Sequence, residues 1–150
     1  MLATGKRMLV STRSRYGLKI MYELAVRYGG DPVFLKDIAR AHRISAKYLS
    51  KLVIPLRGAR LITSFRGAHG GYALTRDPSA ISLLEIVQAL EGEIATTRQP
   101  RKRMDAEGGS IHPADGVWIG LERTINDALR KVSLESLVNQ AREVVLNYQI

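Results

Sequence analysis

At 150 residues, 45% hydrophobic and 25% charged, the chain has the size and composition of one ordinary globular domain, or a small domain plus an appendage. It has no cysteine, which excludes disulfides, zinc–thiolate sites and cysteine nucleophiles, and no apolar run approaches the ~18 residues of a membrane span. A net charge of +9 and a pI near 10.2 point to a polyanionic partner, nucleic acid or an anionic surface.

The charge is concentrated in one half. Residues 1–76 carry fifteen basic and three acidic side chains, a net of +12, whereas residues 77–150 carry eight basic and eleven acidic ones, a net of −3. Such asymmetry suggests a nucleic-acid-binding part joined to a part with another task. The start, MLATGKRMLVSTRSR, has basic residues but no apolar core of a secretion signal, so a cytoplasmic location is expected.

The first expected helix covers 12–28, with Leu18, Met21, Tyr22, Ala25 and Tyr28 at helical spacing and Gly29-Gly30 as its stop. Asp31-Pro32 marks a turn. A short helix follows over 35–42, with Leu35, Ile38 and Ala39 on one face. Ser45 is an N-cap residue. It opens a third helix to about Leu56 that turns Leu49, Leu52, Val53 and Leu56 inward, with Pro55 tightening the last turn.

Two helices joined by a short turn, the second opened by a capping serine, form a helix-turn-helix pattern. The second helix exposes Ser45, Lys47, Tyr48, Ser50 and Lys51, donors and cations at the end that enters a major groove. For Lys47 and Lys51 the competing reading is a solvated helix face.

FRGAHGGYAL, residues 65–74, joins two short β-like segments, 62–65 and 72–74. A phosphate cradle needs a strand, glycines and then a helix; here the glycines join two strands, which makes the segment a wing. Gly67, Gly70 and Gly71 allow a tight turn and close backbone approach to a sugar–phosphate. Arg66 and His69 then reach a phosphate or the minor groove, although His69 also reads as an ordinary polar loop residue.

ISLLEIVQALEG is a punctuated helix: Ser82 and Glu85 form a capping box, Leu83, Ile86, Val87 and Leu90 an apolar stripe, and Gly92 the stop. Residues 93–114 lose periodicity and carry Pro100, Arg101-Lys102-Arg103, Gly108-Gly109 and Pro113. They read as a flexible effector-type loop, its basic run a solvated segment rather than a second DNA site.

A longer helix is expected over 115–131, with Val117, Trp118, Leu121, Ile125, Ala128, Leu129 and Val132. Ser133 caps a last helix carrying Leu134, Leu137, Val138, Ala141, Val144 and Val145. This pair reads as lying outside the compact unit with surplus apolar surface, hence as a dimerisation arm centred on Trp118, Leu121, Ile125, Leu129 and Val132. Trp118 reads most simply as a core residue where the long helix packs on the winged domain, not as a ligand platform. The expected organisation is mainly α with a small β-hairpin: a winged helix-turn-helix domain at 8–92, the loop at 93–114 and dimerisation helices at 115–150.

No catalytic residues emerge. His42, His69 and His112 fall in a turn, a wing and a loop, without a nucleophile or paired carboxylate at a mechanistic spacing. His112 and Asp115 are candidate metal ligands, but two ligands without a third do not define a site.

VSTRSRYGLKIMYELA, LKDIARAHRISAKYLSKLV, LITSFRGAHGGYALTR, ISLLEIVQALEG and VSLESLV, in this order across residues 8–138, resemble the Rrf-type winged-helix transcriptional regulators, the IscR-, NsrR- and CymR-like family. The resemblance implies a homodimer on double-stranded DNA that binds an imperfect palindrome, usually as a repressor. It places Ser45, Lys47 and Tyr48 at bases and phosphates, Arg66, Gly67, Gly70 and Gly71 in the wing, and Arg15 and Tyr16 at the basic-aromatic start of the first helix. The sequence departs from the family where Ser50 replaces a glutamate, where Phe34 replaces a capping serine, and where residues 1–7 precede the usual start at Met8.

Many members of that family hold an iron–sulfur cluster through three cysteines before the long helix. Here the last two such positions read Ala106 and His112, and a histidine ligand used by some members falls at Asp115. No cofactor is therefore expected in this form, and control would come from a small molecule or protein effector. Two alternatives stay open: a metal- or small-molecule-responsive regulator acting through the 93–115 loop, or a cysteine-substituted, cluster-free form of an iron–sulfur-sensing regulator of iron–sulfur homeostasis.

Overall fold

The computed structural model describes residues 11–94 and 112–148. The fold is mainly helical with one two-stranded hairpin. In chain order it runs α1 (Thr12–Val26), α2 (Leu35–His42), α3 (Ala46–Gly58), β1 (Ile62–Phe65), β2 (Gly71–Leu74), a 3₁₀ turn (Pro78–Ala80), α4 (Leu83–Glu91), α5 (Pro113–Lys131) and α6 (Leu134–Tyr148). No helix among the described residues is long and apolar enough to cross a membrane.

Local sequence explains most boundaries. Ser11 caps α1 by accepting from the Ser14 N–H, and Ser82 and Glu85 complete both halves of the capping box at α4. Gly92, at φ 85°, ends α4. Phe34 gives α2 no side-chain cap, as its departure from serine implied. Arg43 ends α2 in the left-handed region at φ 53°, and Ser45 caps α3 two residues later. α3 runs past Pro55 to Gly58, two residues beyond the expected end at Leu56.

One core joins nearly all the elements. Ile20, Met21 and Leu24 of α1, Ile38 of α2, Leu49, Leu52 and Leu56 of α3, Leu61, Ile81, and Ile86 and Leu90 of α4 are all buried in it. The face that α1 buries differs from the expected one. Ser14, Gly17, Ile20, Met21, Leu24 and Ala25 are buried, Leu18 and Tyr22 are half-buried at the margin, and Tyr28 lies past the helix end, 47% exposed. In α4, Leu84 takes the buried place expected of Leu83, and Val87 is half-buried.

The hairpin is antiparallel, with Ile62 opposite Leu74 and Phe65 opposite Gly71. A third segment, unmarked in the sequence, joins it. Val33 exchanges both backbone hydrogen bonds with Tyr72 at 2.8 Å, tying the start of the helix-turn-helix to the wing.

The C-terminal helices differ from each other. α5 buries none of its residues and rests on α4. α6 does not lie outside the compact unit: Leu134 and Val138 belong to the core, and the helix lies on α1 and the 3₁₀ turn. A backbone strap fixes the junction, with the Leu83 N–H donating to the Val132 carbonyl and the Leu134 N–H to the Ile81 carbonyl, both at 2.8 Å.

Candidate nucleic-acid interface

From residue 38 to residue 76 the chain contains no carboxylate. This stretch makes the end of α2, all of α3 and the hairpin, so the fold gathers a cationic surface in which Arg40 pairs with Asp37 and Arg76 with Glu85.

Helix α1 meets this surface through aromatic rings. Tyr16 of α1 and Tyr48 of α3 pack edge to face, with centroids 5.8 Å apart and planes at 82°. This is the favourable arrangement of ring quadrupoles. Lys19 Nζ stands 5.6 Å from the Tyr16 ring centre. Both tyrosines are half-buried against the core, so each has an anchored ring. Arg15 is exposed beside Tyr16, and Ser45, Lys47, Ser50 and Lys51 are exposed on α3. Tyr48 is thus more enclosed than an open helix face implied. The Ser45 hydroxyl accepts from the Tyr48 N–H at 3.4 Å, and the Ser50 hydroxyl donates to the Lys47 carbonyl at 2.6 Å, so Ser50 offers outward only acceptor capacity. His42 is held by Glu23 at 2.8 Å, which fastens α2 to α1.

The wing's glycines divide by role. Gly67, at φ 99°, has open space where a Cβ would stand. Gly70 is buried, and a Cβ there would lie 2.6 Å from the Phe65 carbonyl oxygen. Gly71 combines φ 127° with a Cβ position 2.6 Å from the Val33 carbonyl oxygen. The turn and the Val33 bridge therefore demand Gly70 and Gly71 whatever the wing touches. Arg66 and His69 are exposed.

A groove of about 560 Å³ runs beside the wing, lined among others by Phe34, Lys36, Arg57, Phe65 and Arg66. Lys36 and Arg57 were not singled out in the sequence; only their place in the basic half hinted at them. Phe34 carries the Lys36 ammonium 5.1 Å from its ring centre and Phe65 is 51% exposed.

On α5, Trp118 is 50% and Leu121 38% exposed. Trp118 is therefore not an interior residue of this chain. Ile125, Leu129 and Val132 are half-buried. The His112 Nδ1 accepts the Ala114 N–H at 3.1 Å and caps α5. Among the described residues no group of three or more His, Asp or Glu side chains is placed to hold a metal ion. Ala106, Arg101-Lys102-Arg103, Gly108-Gly109 and residues 1–7 with Met8 lie outside the described residues.

A helix-turn-helix, a wing and a cationic stretch that itself contains no carboxylate define a winged-helix DNA-binding protein. The profile of the Rrf2 family, described as "Iron-dependent Transcriptional regulator", matches residues 10–140, and the chain belongs to that family. It is 39% identical over 137 residues to the HTH-type transcriptional regulator CymR of Bacillus subtilis (strain 168), covering 88% of this chain and 91% of that one. It is 34% identical over 132 residues to the regulator IscR of Photorhabdus laumondii, covering 88% and 80%. Among solved structures, CymR (YrzC), "the Global Cysteine Regulator of B. subtilis", superposes with a TM-score of 0.75 at 38% identity, covering 89% of this chain and 98% of that one. T. potens IscR gives 0.75 at 33%, covering 92% and 91%. The chain is accordingly a DNA-binding transcriptional regulator rather than an enzyme.

The family's iron–sulfur chemistry does not fit these residues. Clusters take soft thiolate ligands, the chain has no cysteine, and the His112 Nδ1 lone pair is committed to its own helix.

Proposed function

We propose that this regulator is a homodimeric repressor that sets two α3 helices into successive major grooves of a palindromic operator without an iron–sulfur cluster. The Tyr16–Tyr48 contact carries the reading. It sets the basic start of α1 and the N-terminal half of α3 side by side, so that Arg15, Lys47 and Lys51 flank base-reading positions at Ser45, Tyr48 and Ser50. Arg66, Gly67 and His69 extend the contact through the wing to the backbone or minor groove, with Gly70 and Gly71 shaping the turn that presents them. The exposed Trp118 and Leu121, with Ile125, Leu129 and Val132, supply the dimer seam. The effector is a small molecule or a protein.

Salt titration of operator binding tests this. Affinity falls steeply with salt through counterion release. Arg66→Ala weakens binding to all sequences alike, and Tyr48→Ala lowers the ratio of specific to non-specific affinity. Salt-indifferent binding overturns the reading.

A further inference from the structure

The outer face of α3 is a single stripe. Lys47, Ser50, Lys51 and Ile54 follow one another at the i, i+3, i+4, i+7 spacing that puts four side chains on one side of a helix. Leu49, Leu52, Val53 and Leu56 leave from the other side into the core. Three members of the stripe are polar or charged. The fourth, Ile54, is 68% exposed, more than any other exposed large hydrophobic residue of the described chain.

Its form suits recognition. Isoleucine is branched at Cβ and has one strongly preferred χ1 in a helix, and the next residue is Pro55, whose ring fixes its own φ. Ile54 is thus a stiff apolar knob one turn beyond Ser50 and Lys51. The major groove offers one apolar feature, the C5 methyl of thymine, which aliphatic side chains contact. The recognition helix of homeodomains reads major-groove bases from this same set of spacings.

We propose that Ile54 is a specificity-determining residue that selects a thymine in each half-site through its C5 methyl group. The inference rests on the major-groove docking of α3 proposed above. It adds an apolar term that Lys47, Ser50 and Lys51 do not supply.

The test uses the full chain and a duplex that it selects from a random-sequence pool. Each thymine of that duplex is replaced in turn by deoxyuridine, which deletes only the C5 methyl. The wild-type protein loses affinity at one thymine per half-site by roughly fourfold, the worth of about one buried CH₂ group. Ile54→Ala binds the thymine and deoxyuridine duplexes equally, at the level of wild type on deoxyuridine, and Ile54→Val keeps part of the difference. Circular dichroism confirms that the variants fold. If no deoxyuridine penalty depends on residue 54, Ile54 is an ordinary exposed aliphatic side chain and the proposal is overturned while the docking stands. If selection returns no preferred duplex, the docking fails and the proposal falls with it.

Discussion

The Ser14 hydroxyl donates to Glu91 Oε1 at 2.8 Å, joining residues 77 apart in sequence. The Ser11 hydroxyl reaches the same oxygen. Glu91 is the last residue of α4, where a carboxylate opposes the helix dipole; Ser11 and Ser14 stand at the start of α1, where an anion is favoured. One group thus exchanges an unfavourable helix end for a favourable one. Gly17 deepens the contact, since a Cβ there would lie 2.2 Å from Leu90 Cδ1. Gly92 and the 93–114 segment follow Glu91 directly, and Arg13, Arg15 and Tyr16 follow Ser11. The chain that leads into the expected effector segment is therefore anchored to the start of α1.

This pin should be visible as acid sensitivity. Partial burial pushes the Glu91 carboxyl up, but the Ser11 and Ser14 hydrogen bonds and the Arg13 charge outweigh it and hold its pKa below the ordinary value. Glu85 goes the same way, with burial outweighed by the Ser82 N–H and hydroxyl and by Arg76. A depressed folded-state pKa gives stability that is complete above the unfolded-state pKa and lost as pH falls through the folded one. Urea unfolding across the acidic range should therefore show stability declining, with a shallower decline for Glu91→Gln. Identical pH profiles for the two proteins would remove Glu91 from this role.

Where local chemistry decides an element, the sequence was legible. Ser82, Glu85 and Gly92 specify α4 from within one turn of each end, and the glycines between two β-like runs specify the hairpin. Where a tertiary contact decides, it was not. On α1, Leu18 and Tyr22 compete with Ile20 and Leu24 for the core, stripes rotated from each other and both passing through Met21 and Ala25. The approach of α4 against Ser14 and Gly17 settles the choice, and neither residue registers in a hydrophobic pattern. The apolar stripe of α6 showed that the helix must be covered but not that α1 of its own chain covers it. Val33 gave no strand signal because it pairs as a single bridge. The exposure of Lys47, Ser50, Lys51 and Arg66 followed from charge and spacing, whereas Lys36 and Arg57 needed the fold to bring them beside Arg66.

The wing should be far less tolerant at Gly71 than at Gly67. Both have positive φ, which costs an L-residue roughly 1–2 kcal/mol. Gly67→Ala meets open space, whereas Gly71→Ala also drives a Cβ to 2.6 Å from the Val33 carbonyl oxygen, a backbone atom that cannot move without breaking the Val33–Tyr72 bridge. Thermal unfolding should place Gly71→Ala well below Gly67→Ala, and equal melting temperatures would refute the bridge as the reason for the glycine.

The two C-terminal helices should respond in opposite ways. Leu134 is 0% exposed, so Leu134→Ala should destabilise the fold by about 2–5 kcal/mol. Leu121→Asp with Ile125→Asp lies on the helix without buried residues; it should leave the winged unit folded, convert a dimer to a monomer in light scattering and abolish tight operator binding. A native protein already monomeric at micromolar concentration would show that α5 is no dimer seam.

Iron and sulfide should leave operator binding untouched. Cluster irons need thiolates and the chain has none. His112 and Asp115 offer a borderline imidazole and a hard carboxylate, which suit a lone divalent ion better than a cluster, and the imidazole is drawn onto the Ala114 N–H. Using it as a ligand through Nδ1 would uncap α5, at a cost of about 1 kcal/mol. Anaerobic incubation with iron and sulfide should therefore give a colourless protein whose DNA-binding curve overlays that of the untreated one. His112→Ala should lower helix stability without changing that overlay. A stoichiometric visible chromophore that shifts operator affinity would show that the chain assembles a cluster from ligands other than cysteine.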